Sequence, residues 1–356
     1  MGYSKCSNEE NYLFQKIARV LIGTNKIDNG GYISGQFLST FLDQKTGGGC
    51  RLNPLSDLEK AEAIVVLGAD PNHSLPVVSY YLKRAAKQGT PLIVVDPRKT
   101  ELVSFATSWL RINPRADLEL LNALAALLHE KNAYDSEFID RNAEGFSIFT
   151  YGLSSLDVDK VSRVSGLAGE RLNATVELLK GKRIAFVVGH GILQQRYGIH
   201  TMGAILNLSL MTGSLGTEGG GVYVLARENN QAGAMDMGAV PNLLPGRMPL
   251  DENAARKTWE KNWKVKISPD PGLNMSRIIE AAESGQLKAL YIMGENPLRS
   301  LPQPERVKAA IEKLAFVVVQ DILNNEVVKL ADVALSLIHI SEPTRPTATA
   351  GMPSSA

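Results

Sequence analysis

The chain has 356 residues, 44% of them hydrophobic, and its 38 basic and 37 acidic side chains leave a formal net charge of +1. This balance excludes the strongly basic proteins that bind nucleic acid or anionic lipid, and the lack of a membrane-length apolar run or a signal region predicts a cytoplasmic protein with no direct membrane insertion. The length suffices for two domains, whereas Cys6 and Cys50 alone cannot hold an iron–sulfur cluster or a Cys-rich zinc site.

The first predicted element is one amphipathic helix within residues 7–28. Ser7 stands three residues before Glu10, which is the spacing of a capping box, and Gly23 is expected to end the helix. The apolar residues at helical spacing are Leu13, Ile17, Val20 and Leu21. The glycine-rich segment 29–54 is interpreted as a loop that contains one short helix.

A strand–turn–helix–strand unit then occurs twice. In the first copy an apolar run ends at Gly68, and a second apolar run ends at Asp96, 28 residues after that glycine. In the second copy, 226 positions further on, Gly294 and Asp321 take these places, 27 residues apart. Open parallel sheets bind nucleotides at the carboxyl ends of such strands. Two crevices indicate either two nucleotides or one metal centre whose cofactor carries a nucleotide on each side.

The remaining elements continue the alternation that defines an α/β protein with parallel sheets. A crossover helix is predicted over about 75–88, and a second helix is predicted to begin at Asp117, whose side chain would cap it. A buried strand then ends in Gly189, His190 and Gly191, and a further helix follows. Between about Val224 and Met248 the periodicity vanishes, which indicates a long functional loop or a misread element.

Several polar residues have both a binding and a structural interpretation. Asp96 and Asp321 could accept hydrogen bonds from ribose hydroxyls, and Arg98 could bind a phosphate, but capping or ion pairing remains open. His190 could contact a cofactor or a loop carbonyl. The loop donors Arg227, Asn229, Asn230 and Gln231 could bind an anion or form a solvated turn. Neither copy of the repeat carries G-x-G-x-x-G, which disfavours a plain NAD site.

Eight segments, in order, resemble the large subunit of molybdopterin oxidoreductases, in particular the formate dehydrogenase alpha subunit and the related subunit of NADH–quinone oxidoreductase. They include LGADPNHSLP, VVDPRKTE, PRADLELLNALA, LMTGSLGTEGGGV, NNQAGAMDMGAVPNLLPG and YIMGENPL. The resemblance spans Ser7 to about Leu335. It implies a molybdenum or tungsten bis(pterin guanine dinucleotide) centre between two doubly wound, Rossmann-like domains of the formate dehydrogenase/DMSO reductase type, one inserted in the other.

The resemblance also implies domain bounds and residue roles. Residues 30–225 would form the first dinucleotide-binding domain, and residues 1–29 plus 226–336 the second. Independently of the resemblance, residues 337–356 are rich in Pro, Thr, Ser and Ala and are interpreted as a non-native disordered tail. The positions implied to line one guanine dinucleotide are Gly68, Asp70, Asp96, Arg98, Asp117, Gly189 and Gly191. Those implied to line the other are Gly294, Glu295, Asn296, Gln320 and Asp321.

Two sites depart from the family pattern. Ser34 and Gly35 stand where formate dehydrogenases have a metal-binding Cys or selenocysteine followed by His. A serine oxygen can ligate molybdenum in other branches of the family, but glycine cannot move a proton. Ala226 occupies the position of the family's active-site arginine, with Arg227 one residue later. Ser34 is therefore the candidate metal ligand and Arg227 the candidate catalytic anion clamp.

The leading hypothesis is a fragment of a molybdopterin-dependent oxidoreductase that oxidises a small-molecule substrate by two electrons. Its iron–sulfur cluster is expected on a missing N-terminal region or a partner, and iron–sulfur or flavin electron-transfer subunits are the expected partners. The two departures also motivate an alternative, a metal-free structural and electron-transfer scaffold like the related subunit of NADH–quinone oxidoreductase. A weaker alternative is a mononucleotide-binding protein that uses only the first crevice.

Overall fold

A computed structural model describes residues 1–2, 4–30, 41, 45–46, 53–226 and 228–336. Two compact units make up the chain: the inserted unit, Ser34–Arg227, and the split unit, Met1–Ile33 with Glu228–Ala356. The predictions for Ser34, Gly35, Arg227 and residues 337–356 fall outside the described residues, as does most of the predicted loop 29–54.

The inserted unit is built on a five-stranded, all-parallel sheet with the strand order β3-β2-β1-β4-β5. Its strands are β1 (Ala63–Leu67), β2 (Leu92–Val95), β3 (Ser108–Leu110), β4 (Ile184–Val188) and β5 (Gly221–Val224). Every residue of β1, β2 and β4 is buried, as a sheet covered on both faces requires. From β1 the chain adds β2 and β3 on one side of the sheet, and then β4 and β5 on the other side. A crevice opens at the carboxyl ends of the two strands where the order reverses, here β1 and β4.

Helices cover both faces of this sheet, so the predicted α/β class is confirmed. On one face Val65 and Ile93 pack with Leu120 and Ile205, and on the other Val66 packs with helix 76–87. The α-helices are Pro71–Ser74, Pro76–Lys87, Asp117–Glu130, Ser136–Asn142, Phe146–Leu153, Val158–Ser165, Gly169–Leu179, His190–Leu193 and Gly198–Met211. Leu55–Lys60 and Glu101–Phe105 are short 3₁₀ helices.

The split unit contains a three-stranded parallel sheet with the order β10-β9-β8 and one small antiparallel hairpin. Its strands are β6 (Leu243–Leu244), β7 (Met248–Pro249), β8 (Ala289–Met293), β9 (Phe316–Asp321) and β10 (Val333–Ser336). Its helices are Asn8–Lys16, Gln231–Asp236, Asn253–Trp263, Met275–Glu283, Pro297–Ser300 and Pro304–Glu312, with the π-helical Ile17–Ile22 and the 3₁₀ turn Val328–Leu330. Ile292 and Val319 form a core with Ile279 and Ile311.

The segment between Val224 and Met248 is not structureless, which corrects the sequence interpretation. It contains the helix Gln231–Asp236 and the hairpin of β6 and β7. Elements of two and six residues are too short to show an apolar period, so the sequence pattern could not reveal them.

The first helix has the predicted capping box but packs the opposite way from its apolar pattern. Ser7 Oγ accepts from the Glu10 amide at 3.2 Å, and Glu10 Oε2 accepts from the Ser7 amide at 2.7 Å. However, the side chains of Leu13 and Leu21 are 55% and 77% exposed, whereas Arg19 is only 3% exposed. The inward face of this helix therefore carries the buried guanidinium of Arg19 together with Phe14, and not the predicted stripe of leucines.

Asp28 is a fully buried acidic side chain of the split unit. Its oxygens accept from the amides of Met275 at 2.6 Å and Asn29 at 2.9 Å. Burial nevertheless raises the pKa of Asp28 to about 7, because the two backbone hydrogen bonds offset only part of the desolvation.

We expect the Asp28 contribution to the free energy of unfolding to fall as pH rises from about 4 to 7. The folded state binds this proton more tightly than the unfolded state, so raising the pH through this window costs at most about 4 kcal/mol. Urea unfolding of the wild type and Asp28→Asn between pH 4.5 and 8 measures the difference. A difference that is constant with pH would contradict the prediction.

Among the described residues, no helix combines the length and the apolar character needed to cross a membrane.

Candidate nucleotide-binding site

The inserted unit has a cavity of about 750 Å³ where β1, β2 and β4 end, here called the β1–β4 cavity. All the residues implied to line the first dinucleotide lie in its wall: Gly68, Asp70, Asp96, Arg98, Asp117, Gly189 and Gly191. Their positions in the chain span more than 120 residues, and the parallel register of the three strands brings them together.

Glycines allow the turns after β1 and β4 to touch through their backbones. The Gly191 amide donates to Gly68 O at 2.9 Å, and Gly68 has a left-handed φ of +53°. A Cβ at Gly189 would lie 2.5 Å from both the Cβ of Ala69 and Gly68 O, and one at Gly191 would lie 2.8 Å from Gly68 O. A side chain at either position would therefore separate the turns that form the cavity wall.

Three carboxylates face this cavity. Asp96 is 4% exposed, and its Oδ1 accepts from the Arg98 amide at 2.8 Å. Asp117 Oδ2 accepts from Gln195 Nε2 at 2.8 Å. Burial raises the pKa of both Asp96 and Asp117. Asp70 Oδ1 is buried and has no hydrogen-bond partner within the described ranges, so it is an acceptor available to a ligand.

The predicted capping role of Asp117 is wrong. The helix begins at Asp117 itself, and the preceding Ala116 occupies the capping position without a side-chain hydrogen bond. The Asp117 carboxylate is turned instead toward Gln195, whose Nε2 also donates to Gly191 O at 2.6 Å. Gln195 thus fixes the orientation of a cavity carboxylate.

Sequence reasoning missed several residues of the wall. Gln195 and His73 line the cavity, and His73 Nδ1 lies 3.1 Å from Asp70 Oδ2. Arg115 also lines it, with a left-handed φ of +73°. No sequence pattern marks Gln195, because its partner Asp117 is 78 residues away. His190, for which two interpretations were open, does lie in the wall.

In the split unit, the residues implied for the second arm lie at the carboxyl ends of the paired strands β8 and β9. The Gly294 amide donates to Gln320 O at 2.8 Å, and Glu295 is buried. Tyr291 donates its hydroxyl to Gln320 Oε1 at 2.6 Å, which fixes the orientation of the Gln320 side chain.

Two residues of the second crevice also serve the local fold. Asn296 Oδ1 accepts from the Leu298 amide and thereby caps the helix Pro297–Ser300, while its Nδ2 donates to Glu326. The Asp321 oxygens accept from the Leu323 amide at 3.0 Å and from Asn325 Nδ2 at 2.9 Å.

The β1–β4 cavity combines groups that suit a nucleotide. Carboxylate acceptors match ribose hydroxyls and the N–H groups of a guanine ring, and the guanidinium groups of Arg98 and Arg115 match phosphate. The unpaired Asp70 Oδ1 and the close glycine turns fit a ligand that approaches the backbone. Among the described residues, no group of three or more His, Cys, Asp or Glu could hold a metal ion by itself.

Comparison with known proteins agrees with this geometry. The family model described as "Molybdopterin oxidoreductase" matches residues 2–342. The F420-dependent formate dehydrogenase subunit alpha of Methanocaldococcus jannaschii is 34% identical over 93% of this chain and 49% of its own length. Formate dehydrogenase H of Escherichia coli is 32% identical over 92% of this chain and 46% of its own length.

A solved structure shares the fold. Acetylene hydratase from Pelobacter acetylenicus superposes with a TM-score of 0.70 at 19% identity, over 91% of this chain and 47% of that protein. The chain spans about half the length of the curated relatives it matches. Since the family model covers nearly the whole sequence, this chain belongs to the molybdopterin oxidoreductase family.

Proposed function

We propose that this chain binds the guanosine arms of a molybdenum or tungsten bis(pterin guanine dinucleotide) cofactor in the large subunit of a formate dehydrogenase alpha-like oxidoreductase. The observation that carries the proposal is the β1–β4 cavity, in which all the residues implied for one arm meet around the unpaired Asp70 Oδ1. Membership of the family supports the choice of cofactor.

The inserted unit would hold one arm through its carboxylates and Arg98. Asp96 and Asp117 would accept hydrogen bonds from ribose or guanine, and the turns at Gly68 and Gly189 would let the ligand reach the backbone. In the split unit, the other arm would contact Gly294, Glu295, Asn296, Gln320 and Asp321.

When bound, the metal centre would supply the two-electron oxidation of a small-molecule substrate. In our proposal Ser34 is the protein ligand to this metal, and Arg227 binds an anionic substrate; both assignments rest on sequence alone. Electrons would leave through iron–sulfur or flavin subunits of a cytoplasmic complex. The name of the M. jannaschii relative, a "subunit alpha", supports such partners.

Ser34 and Gly35, which stand where formate dehydrogenases have a metal ligand and a histidine, also favour a second candidate function. This candidate is the metal-free scaffold of the NADH–quinone oxidoreductase type. Metal and nucleotide analysis of the full-length protein distinguishes the two. Molybdenum or tungsten with about two guanine nucleotides per chain supports the enzyme. If neither metal is found and acid treatment releases no guanine nucleotide, the result supports the metal-free scaffold.

Asp96→Asn is expected to weaken the binding of GDP, a probe for one arm of the cofactor, by about 10- to 100-fold. The loss of a charge-assisted acceptor is typically worth about 1.5–3 kcal/mol, while Asn can still accept from the Arg98 amide. Calorimetric titration measures the effect, with the exposed Asp159→Asn as the matched control. Equal GDP affinity in the wild type and Asp96→Asn would exclude Asp96 from the site.

A further inference from the structure

Arg115 occupies a turn position that favours glycine. The Ala116 amide donates to Asn113 O at 3.2 Å, which closes a four-residue turn with Pro114 second and Arg115 third. The φ of Arg115 is +73°. Proline followed by a left-handed residue is the arrangement of a type II turn, whose third position usually holds glycine because a Cβ is disfavoured there.

No contact within the described ranges explains why an arginine is kept in this conformation. Arg247 is also an arginine with a left-handed backbone, at φ +56°, but its Nε lies 2.5 Å from Asp236 Oδ1. Residue Arg115 is exposed, and no hydrogen bond or ion pair between its side chain and another described residue accounts for the conformation. Arg115 is one of the residues that line the β1–β4 cavity.

The charges of the cavity indicate what this guanidinium would bind. Asp70, Asp96 and Asp117 supply acceptors for the sugar and the base, but they would repel phosphate. Arg98 lies 3.7 Å from Asp96, and its side chain is 72% exposed, so part of its charge is already offset. A second cation would therefore strengthen the binding of a nucleoside diphosphate, and a planar guanidinium binds phosphate oxygens in pairs.

We propose that Arg115 binds the diphosphate of the guanine nucleotide arm, and that its turn is kept in a disfavoured conformation to place this guanidinium in the cavity wall. The inference rests on the proposed function, because it assigns a further residue to the same site. Residues held in disfavoured backbone conformations cluster at active sites and ligand-binding sites.

Three variants test the proposal with GDP and with guanosine, which lacks phosphate. Arg115→Gly should raise the melting temperature, because glycine suits the turn, and weaken GDP binding at least tenfold. Its guanosine affinity should stay within twofold of the wild type. Arg115→Asn, which also tolerates a left-handed φ, should behave in the same way. Arg247→Gly, the matched control, should leave GDP binding unchanged.

The outcomes separate this inference from the proposed function. If the wild type binds GDP and both Arg115→Gly and Arg115→Asn bind it equally well, the role of Arg115 is overturned but the proposed function is not. An equal loss of guanosine and GDP binding would also overturn it, because the contact would not be to phosphate. Failure of the wild-type chain to bind either ligand would overturn both proposals.

Discussion

Gly189→Ala is expected to abolish GDP binding and to lower the free energy of unfolding by about 2–3 kcal/mol, the usual cost of forcing extra volume into a packed site. The new Cβ would lie 2.5 Å from Gly68 O and from the Cβ of Ala69. Both atoms belong to the turn after β1, and β1 pairs with β4 along its whole length. The turn cannot yield by changing a rotamer, so the cavity wall itself must move.

Urea unfolding and calorimetric titration with GDP measure the two effects. Gly152→Ala is the control, because a Cβ at Gly152, in the helix Phe146–Leu153, meets no atom within 4 Å. Alanine should stabilise that helix by about 0.5–1 kcal/mol and leave GDP binding unchanged. Wild-type affinity in Gly189→Ala would show that the contact between the two turns does not shape the site.

Local sequence patterns were sufficient to predict the parallel sheets. β1 and β2 are buried on both faces, so they occur in the sequence as continuous apolar runs, and the helix Pro76–Lys87 lies within the predicted 75–88. The repeated spacing of glycine and aspartate placed these two residues of each copy at strand ends, which define one edge of a sheet. Other residues of the predicted site, such as Asp117 and Gln320, came only from the family resemblance.

Features that depend on contacts distant in sequence could not be predicted. The first helix turns Arg19 inward, where three of its partners are carbonyls more than 200 residues away in the chain. The orientation of Asp117 likewise depends on Gln195, which is 78 residues away in the chain. Arg115 was missed for another reason, since its left-handed turn contradicts the residue preference from which turns are predicted.

Arg19→Leu is expected to lower the free energy of unfolding by about 3–5 kcal/mol, because each buried acceptor that loses its donor costs about 1–3 kcal/mol. The guanidinium donates at 2.8–2.9 Å to three carbonyls of the segment that precedes β7, and leucine would remove this donor from all three. These carbonyls belong to Gly238, Val240 and Leu243. Burial lowers the pKa of Arg19 to about 10, so the side chain remains charged at neutral pH.

Urea unfolding at pH 7 tests this expectation against Arg141→Leu. The Arg141 side chain is 74% exposed, and within the described part of the chain its ion pair is with Glu137 one helical turn away, so its loss should change the free energy of unfolding by less than about 0.5 kcal/mol. Arg19→Lys should recover only part of the loss, because an ammonium has three donors where the guanidinium serves five acceptors. Equal free energies of unfolding for Arg19→Leu and Arg141→Leu would contradict the prediction, because they would show that the guanidinium does not hold the first helix in place.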